Sequence, residues 1–373
     1  MCGRRARSNG SYRVRSFAFQ TTTVGLLSLG LITMSSCAGG GKGSTGSGSG
    51  TPPPPPPAAA TNIYVVASNR FLTGQLDTPP IVQFSTAASG SVTPAVTLPS
   101  PAGVEFVSVA TDSEGQLYVG AVTFTGPTTK AVVTGYEVLV YAAGVTATST
   151  PVRTILISGA TTTYPRAIAV DPTGQVYVVL VSANGTTADI AVYSSTASGA
   201  ATPVRTINTQ LVSKVYQLAV DSSNNLYAAG VASPDNGVNG VIAVFGPTAT
   251  GSATPIIQIT GTNVGPLNSL GVAVDSSGHI YAVDSTNNGT IYEFAAGANG
   301  TPTPLKTITV PASTGLGSLL DLAVDPVGNV FVEGGGTVGI ARYASNATGA
   351  EAPLNVFTSP VLNLSVEVSY AIH

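Results

Sequence analysis

The stretch "IAVDPTGQVYVV", Ile168–Val179, recurs along the chain as "VATDSEGQLYVG", "LAVDSSNNLYAA", "VAVDSSGHIYAV" and "LAVDPVGNVFVE". Every copy carries an aspartate in one register: Asp112, Asp171, Asp221, Asp275 and Asp325. A repeated carboxylate can be a metal ligand, a catalytic group or part of a turn, and its neighbours decide which. Here it heads "DSEG", "DPTG", "DSSN", "DSSG" and "DPVG". Asp at the first position, Pro tolerated at the second and Gly at the fourth is the signature of a type I turn, with the Asp side chain bonding a backbone N–H two residues on. The fourth position calls for φ > 0 in a bulged hairpin, which Gly reaches freely and Asn, here Asn224, next most readily. Neither metal binding nor catalysis explains that substitution pattern, so the aspartates are expected to be hairpin residues.

Working outward, an aromatic stands six residues after each aspartate: Tyr118, Tyr177, Tyr227, Tyr281 and Phe331. A second set is followed ten residues later by proline: Phe84–Pro94, Tyr141–Pro151, Tyr193–Pro203, Phe245–Pro255, Phe294–Pro304 and Tyr343–Pro353. Between them run loops such as "ASGAATP" and "ATGSATP". A period near 50 residues marks a repeat architecture. Around Asp171 the unit reads as four short Val/Ile/Tyr-rich strands, "AIAV", "QVYVVLV", "DIAVYS" and "PVRTI". Proline opens the fourth strand, which belongs at a sheet edge because proline lacks the N–H a central strand needs.

Six units of four strands predict an all-β fold, a six-bladed β-propeller of four-stranded antiparallel blades. Strands this short do not suit a transmembrane barrel, which needs about 9–11 residues per strand. Six proline landmarks but five aspartates mean that one unit is split between the chain ends. "NIYVV" (62–66) is a second strand without a first, and the closing "SYAIH" aligns with "AIAVD". The C-terminal strand is therefore expected to join the N-terminal blade and close the ring, with His373 where an aspartate would stand.

The copies resemble the NHL repeat, whose pattern is close to "avDxxGniYVaD"; "VAVDSSGHIYAVD" is the nearest match. The resemblance implies a propeller and says little of activity, because such propellers include lyases, lactonase-like hydrolases and binding scaffolds.

The N-terminus reads separately. Arg4, Arg5, Arg7, Arg13 and Arg15 precede an apolar run from Val24 to Met34, then "MSSC". That is the shape of a secretory signal. The "MSSC" sequence resembles the lipobox of bacterial lipoproteins, with Met34 where that family more often has Leu. The resemblance implies a signal peptide over 1–36 and lipidation of Cys37. A tether follows over 37–61, a flexible Gly/Ser coil and a stiff run of six prolines about 19 Å long at ~3.1 Å per residue. The propeller then occupies 62–373. Losing the signal removes five arginines and no acid, taking the net charge from −3 to −8. Nucleic acid is a poor partner for such a chain. With Cys2 gone, Cys37 has no partner for an internal disulfide. The expected product is a lipid-anchored protein of the bacterial envelope, monomeric, facing the periplasm or the exterior.

In a propeller, function sits where the blades differ. Residues just before the aspartates approach one rim of the channel: Glu105, Tyr164, Arg166, Lys214, Tyr216, Gln217, Asn268, Asp321 and, near the end, Glu367. This mix suits a polar pocket. No His-x-x-x-His pair, G-x-S-x-G, cysteine nucleophile or phosphate loop accompanies it. No catalytic residue and no cofactor is implied, and calcium is the metal that Glu105, Asn268, Asp321 and Glu367 could hold. The reading favoured is a binding or scaffold module for an envelope protein or glycan. The alternative is a gluconolactonase-like hydrolase or lyase acting on a small sugar-like ligand.

Overall fold

The computed structural model describes residues 62–68, 78–157, 162–182, 188–210, 212–232, 240–262, 265–266, 269–284, 289–335, 339–362 and 367–373. The expected signal, Cys37 and the tether lie outside these. Six four-stranded antiparallel sheets form the blades. From the inner strand outward, blade 1 is Glu367–Ile372, Asn62–Ser68, Ile81–Ser85 and Val96–Leu98. Blade 2 is Val104–Thr111, Leu117–Thr125, Val132–Tyr141 and Arg153–Ile157. Blade 3 is Thr162–Val170, Val176–Ser182, Ala188–Tyr193 and Arg205–Asn208. Blade 4 is Val212–Val220, Leu226–Ala232, Gly240–Phe245 and Ile257–Ile259. Blade 5 is Ser269–Val274, Ile280–Asp284, Thr290–Phe294 and Lys306–Thr309. Blade 6 is Leu319–Val324, Val330–Gly334, Gly339–Tyr343 and Asn355–Thr358.

The inner strands touch in the cyclic order of blades 1 to 6 and back to 1, so the ring is closed. Closure is made by the C-terminus: Ile372 pairs with Ile63 and Glu367 with Ser68, and Asn62 and His373 exchange backbone hydrogen bonds of 2.6 and 3.0 Å.

Among the described residues no single central core forms. Apolar side chains pack instead in clusters between neighbouring blades: Tyr64 and Ile81 with Phe106 and Tyr141, Val140 with Val178, Ile190 with Val241, Val244 with Ile280, Ile291 with Val332, and Phe84 with Phe331 and Phe357. A strand covered on both faces reads as a continuous apolar run, and every residue of Gly240–Phe245 is buried. The landmark aromatics of both sets are buried in these contacts.

The hairpin aspartates act through the backbone. In each, Oδ1 accepts the N–H groups two and four residues on, as in Thr173 and Gln175 to Asp171, both at 2.9 Å. Asp112, Asp221, Asp275 and Asp325 do the same. Oδ2 accepts the hydroxyls of Tyr118, Tyr177, Tyr227 and Tyr281 at 3.1–3.2 Å, tying the turn to its landmark aromatic. Phe331 has no hydroxyl, and there the Asn329 amide and Arg342 serve Asp325 instead. The fourth turn residue has φ between 80° and 85° at Gly115, Gly174, Gly278 and Gly328, and 62° at Asn224.

The fourth strands are not bare edges. Ile155, Ile207, Ile259 and Ile308 form parallel bridges to Gly199, Gly251, Gly300 and Gly349 of the following blade, and Phe357 pairs with Gly90. The Leu156 N–H donates to Gly199 O and the Gly199 N–H to Thr154 O, both at 2.8 Å. The glycine of each loop thus clasps the preceding blade. Its φ of 60–73° is what requires glycine, since a Cβ there would meet nothing within 4 Å. At the blade 1–2 junction the same spacing brings Ala147, and no such bridge occurs among the described residues. That junction is held from inside, by the Val109 N–H to Ser369 Oγ and Thr111 Oγ1 to Ile372 O, both 3.0 Å.

Candidate functional site

Counting back from the hairpin position places each inner-strand residue at a defined depth in the channel. Two residues before it, all six blades carry alanine: Ala110, Ala169, Ala219, Ala273, Ala323 and Ala371. Four residues before it the repeat fails, with Ser108, Ala167, Gln217, Gly271, Asp321 and Ser369. Just beyond, the pairing register slips in blades 2 to 6, between Phe106 and Ser108, Pro165 and Ile168, Val215 and Gln217, Ser269 and Val272, and Leu319 and Asp321. Such bulges re-aim side chains and leave ladder groups unpaired. Val107, Arg166, Tyr216 and Leu320, all at bulges, line a cavity of about 440 Å³ on the axis, together with Gln217, Asp321, Ser369 and the alanine layer.

Several polar groups at this depth are spent on their neighbours. The Gln217 amide donates to Leu322 O at 2.9 Å and its oxygen accepts the Val272 N–H at 2.6 Å, joining blades 4, 5 and 6. Ser108 Oγ donates to Pro165 O at 2.8 Å. The Arg166 guanidinium stacks on the Tyr216 ring, 4.1 Å from its centre, so a cation faces the cavity from blade 3.

Blade 6 supplies a different chemistry. Asp321 keeps part of its surface open to the cavity yet lies deep in the protein, and burial pushes its carboxyl up to about 8 despite the Leu322 N–H it accepts at 2.8 Å. Its cross-strand partner is Glu333, 1% exposed, with neither carboxyl oxygen hydrogen bonded. Burial, and then the Asp321 charge, push Glu333 well above the usual carboxylate range. Tyr370 of blade 1 faces this pair and donates to Phe331 O at 2.9 Å.

Of the residues singled out from the sequence, Arg166, Tyr216, Gln217 and Asp321 come together around the cavity. Glu105 does not: it is completely buried and absent from the cavity wall. The bulge at Val107 inverts the in–out alternation upstream of it, so a residue counted back across that point falls on the other face. Lys214 is half-buried in its strand. The side chains of Tyr164 and Glu367, and Asn268 altogether, lie outside the described residues. Glu333 was not singled out, although the alignment held the signal. It stands where the other blades have Val66, Gly120, Val179, Ala229 and Val283.

His279 lies in the blade 5 hairpin: its Nδ1 is 3.0 Å from Asp275 Oδ2, the counterpart of the oxygens that the Asn225 and Asn329 amides serve in blades 4 and 6. Among the described residues, no three His, Cys, Asp or Glu side chains converge as a metal site.

No protein-family model matches the chain, and no curated protein resembles it in sequence. Solved structures do. A protein of unknown function from Bacteroides caccae matches with a TM-score of 0.53 and 10% identity, covering 84% of this chain and 99% of its own. A chain of a nidogen/laminin complex matches with a TM-score of 0.54 and 12% identity, covering 84% of this chain and 98% of its own. At such identities the likeness is one of fold.

Proposed function

We propose that this chain is a lipoprotein of the bacterial envelope, anchored through Cys37, whose NHL-like propeller stands off the membrane on its Gly/Ser/Pro tether and binds a ligand at the channel. The protein or glycan that carries the ligand is a component of the envelope. One observation carries the reading. The repeat is kept where it builds blades and lost at one depth of the channel, where Arg166, Tyr216, Gln217 and Asp321 surround a cavity. A volume of about 440 Å³ lies in the range of small-molecule sites. Its wall is mostly aliphatic, with these few polar and aromatic side chains placed to orient a bound ligand.

Two experiments test it. Cys37→Ala should move the protein from the membrane to the soluble fraction; continued membrane association removes the anchor from the account. Capture from native envelopes should yield a partner with the wild-type propeller and lose it with Arg166→Ala and Tyr216→Ala. Capture unaffected by both variants removes the channel.

A second reading, a hydrolase or lyase acting on a sugar-like ligand, draws on Asp321, whose raised carboxyl is suited to general acid chemistry near neutral pH. Thermal unfolding with calcium and sugar acids discriminates, because a ligand of the folded state raises stability with its concentration. A calcium-dependent shift lost in Asp321→Ala favours the enzyme.

A further inference from the structure

The cavity is graded along the channel axis. In blade 6 its wall runs from Leu320 to Val324, about 13 Å at ~3.3 Å per residue. Toward the hairpins that wall is aliphatic. It consists of the alanine layer, one residue from each blade, and beyond it half-buried Val170, Val220, Val274 and Val324 with Thr111 of blade 2. Alanine in every blade keeps this section an open, apolar sleeve. The charged and amide side chains of the wall, Arg166, Gln217 and Asp321, all lie at the other end. Two of these are engaged within the protein. Gln217 is spent on Leu322 O and the Val272 N–H, and Arg166 lies over the Tyr216 ring and has a further interaction besides. Asp321 differs. Its Oδ1 accepts the Leu322 N–H, its Oδ2 has no partner among the described residues, and the side chain keeps surface open to the cavity. Glu333, across the ladder, is buried and off the cavity wall, so it does not reach a ligand.

An aliphatic sleeve that ends at one unspent polar group fits a chain with one polar atom at its head. A charged head would give up its hydration for a site that offers no free counter-ion, whereas an uncharged acceptor loses little. We propose that the channel takes the acyl group of an amide or ester, its hydrocarbon chain lying in the alanine sleeve and its carbonyl oxygen accepting a hydrogen bond from Asp321. This deepens the channel-binding reading and rests on it: the envelope component that binds is an acylated one, and its chain enters tail first, toward the hairpins. Burial supports the donor role, because it keeps the Asp321 carboxyl protonated up to about 8. The titratable groups beside it are Glu333 of its own blade and Tyr370 of blade 1, both held neutral by burial. The inner strand of blade 5, Ser269–Val274, carries none, and Arg166 stands on the wall from blade 3. Ionisation of Asp321 removes the donor, so binding weakens as pH rises through about 8.

The test uses the mature chain carrying Cys37→Ala, so that no lipid of its own competes, and the straight-chain amides from acetamide to octanamide. Calorimetric titration should show affinity rising about fourfold with each added methylene until the sleeve is full. The alkylamine and the fatty carboxylate of the best length should bind more weakly than the amide, by about tenfold or more. Asp321→Ala should weaken amide binding about tenfold. Asp321→Asn keeps a donor and should bind as the parent chain does, without the loss above about 8. Affinity indifferent to chain length, an amine or carboxylate that binds as tightly as the amide, or Asp321→Ala binding like the parent each overturns the proposal. Loss of binding in a folded Asp321→Asn variant makes the ionised carboxylate the binding group and overturns it too. Should the amides fail while envelope capture still depends on Arg166 and Tyr216, this inference falls and the channel reading stands.

Discussion

Deleting residues 367–373 removes the inner strand of blade 1 and tests the closure of the ring. The strand contributes the ladder from Ile63–Ile372 to Ser68–Glu367 and buries Tyr370, 5% exposed, against blade 6. It also carries five hydrogen bonds: the Asn62–His373 pair, Ser369 to Val109, Thr111 to Ile372 and Tyr370 to Phe331. At about 1 kcal/mol each these are worth about 5 kcal/mol, and burial of the tyrosine adds about 3 kcal/mol. The total of about 8 kcal/mol is comparable with the whole stability of an ordinary domain. With an unfolding entropy of about 2.1 cal/mol/K per residue over about 310 residues, it lowers the melting temperature by roughly 12 °C. Calorimetry of the full-length and truncated chains, monitored in parallel by far-UV circular dichroism, reads the shift. Truncation should lower one cooperative transition as a whole. An unchanged melting temperature refutes the closure argument.

Two further outcomes follow from the hairpins and from the channel. Asp171→Ala strips acceptors from the Thr173 and Gln175 N–H groups and from the Tyr177 hydroxyl, and should cost about 2–4 kcal/mol in chemical denaturation, with Asp171→Asn costing less. The raised Asp321 carboxyl makes the folded state hold a proton that the unfolded chain releases above 3.8, so stability should fall as pH rises from about 4 to about 8. Glu333 acts in the same direction, and urea midpoints across that range should flatten in the Asp321→Asn, Glu333→Gln double variant.

What was legible in the sequence was what repeats. A hairpin aspartate acts on N–H groups two and four residues away, so the turn is local and its signature shows in each copy. Closure was legible because the end-to-end alignment of "NIYVV" and "SYAIH" completes a unit. What escaped depends on contacts between units. The loop glycines could be seen to recur, but their bridge is to the preceding blade, and nothing in a single unit reveals it. The bulges were likewise hidden: Arg166, Tyr216 and Asp321 line the cavity, while Glu105, counted back across a bulge, is buried away from it. Glu333 shows the other kind of miss. Its departure from the repeat was in plain sight, but its meaning rests on Asp321, twelve residues earlier and across a ladder.

The central claim is that function resides at the one depth where the repeat breaks. Its most direct test is a chain in which that depth is returned to the repeat, carrying Arg166→Leu, Tyr216→Leu, Asp321→Ser and Glu333→Val together. Native mass spectrometry after exposure to envelope extract compares its ligand occupancy with that of wild type. The account predicts a folded propeller, melting at or above the wild-type temperature, with an empty channel. A repeat-restored chain that retains the same ligand at the same occupancy would contradict it.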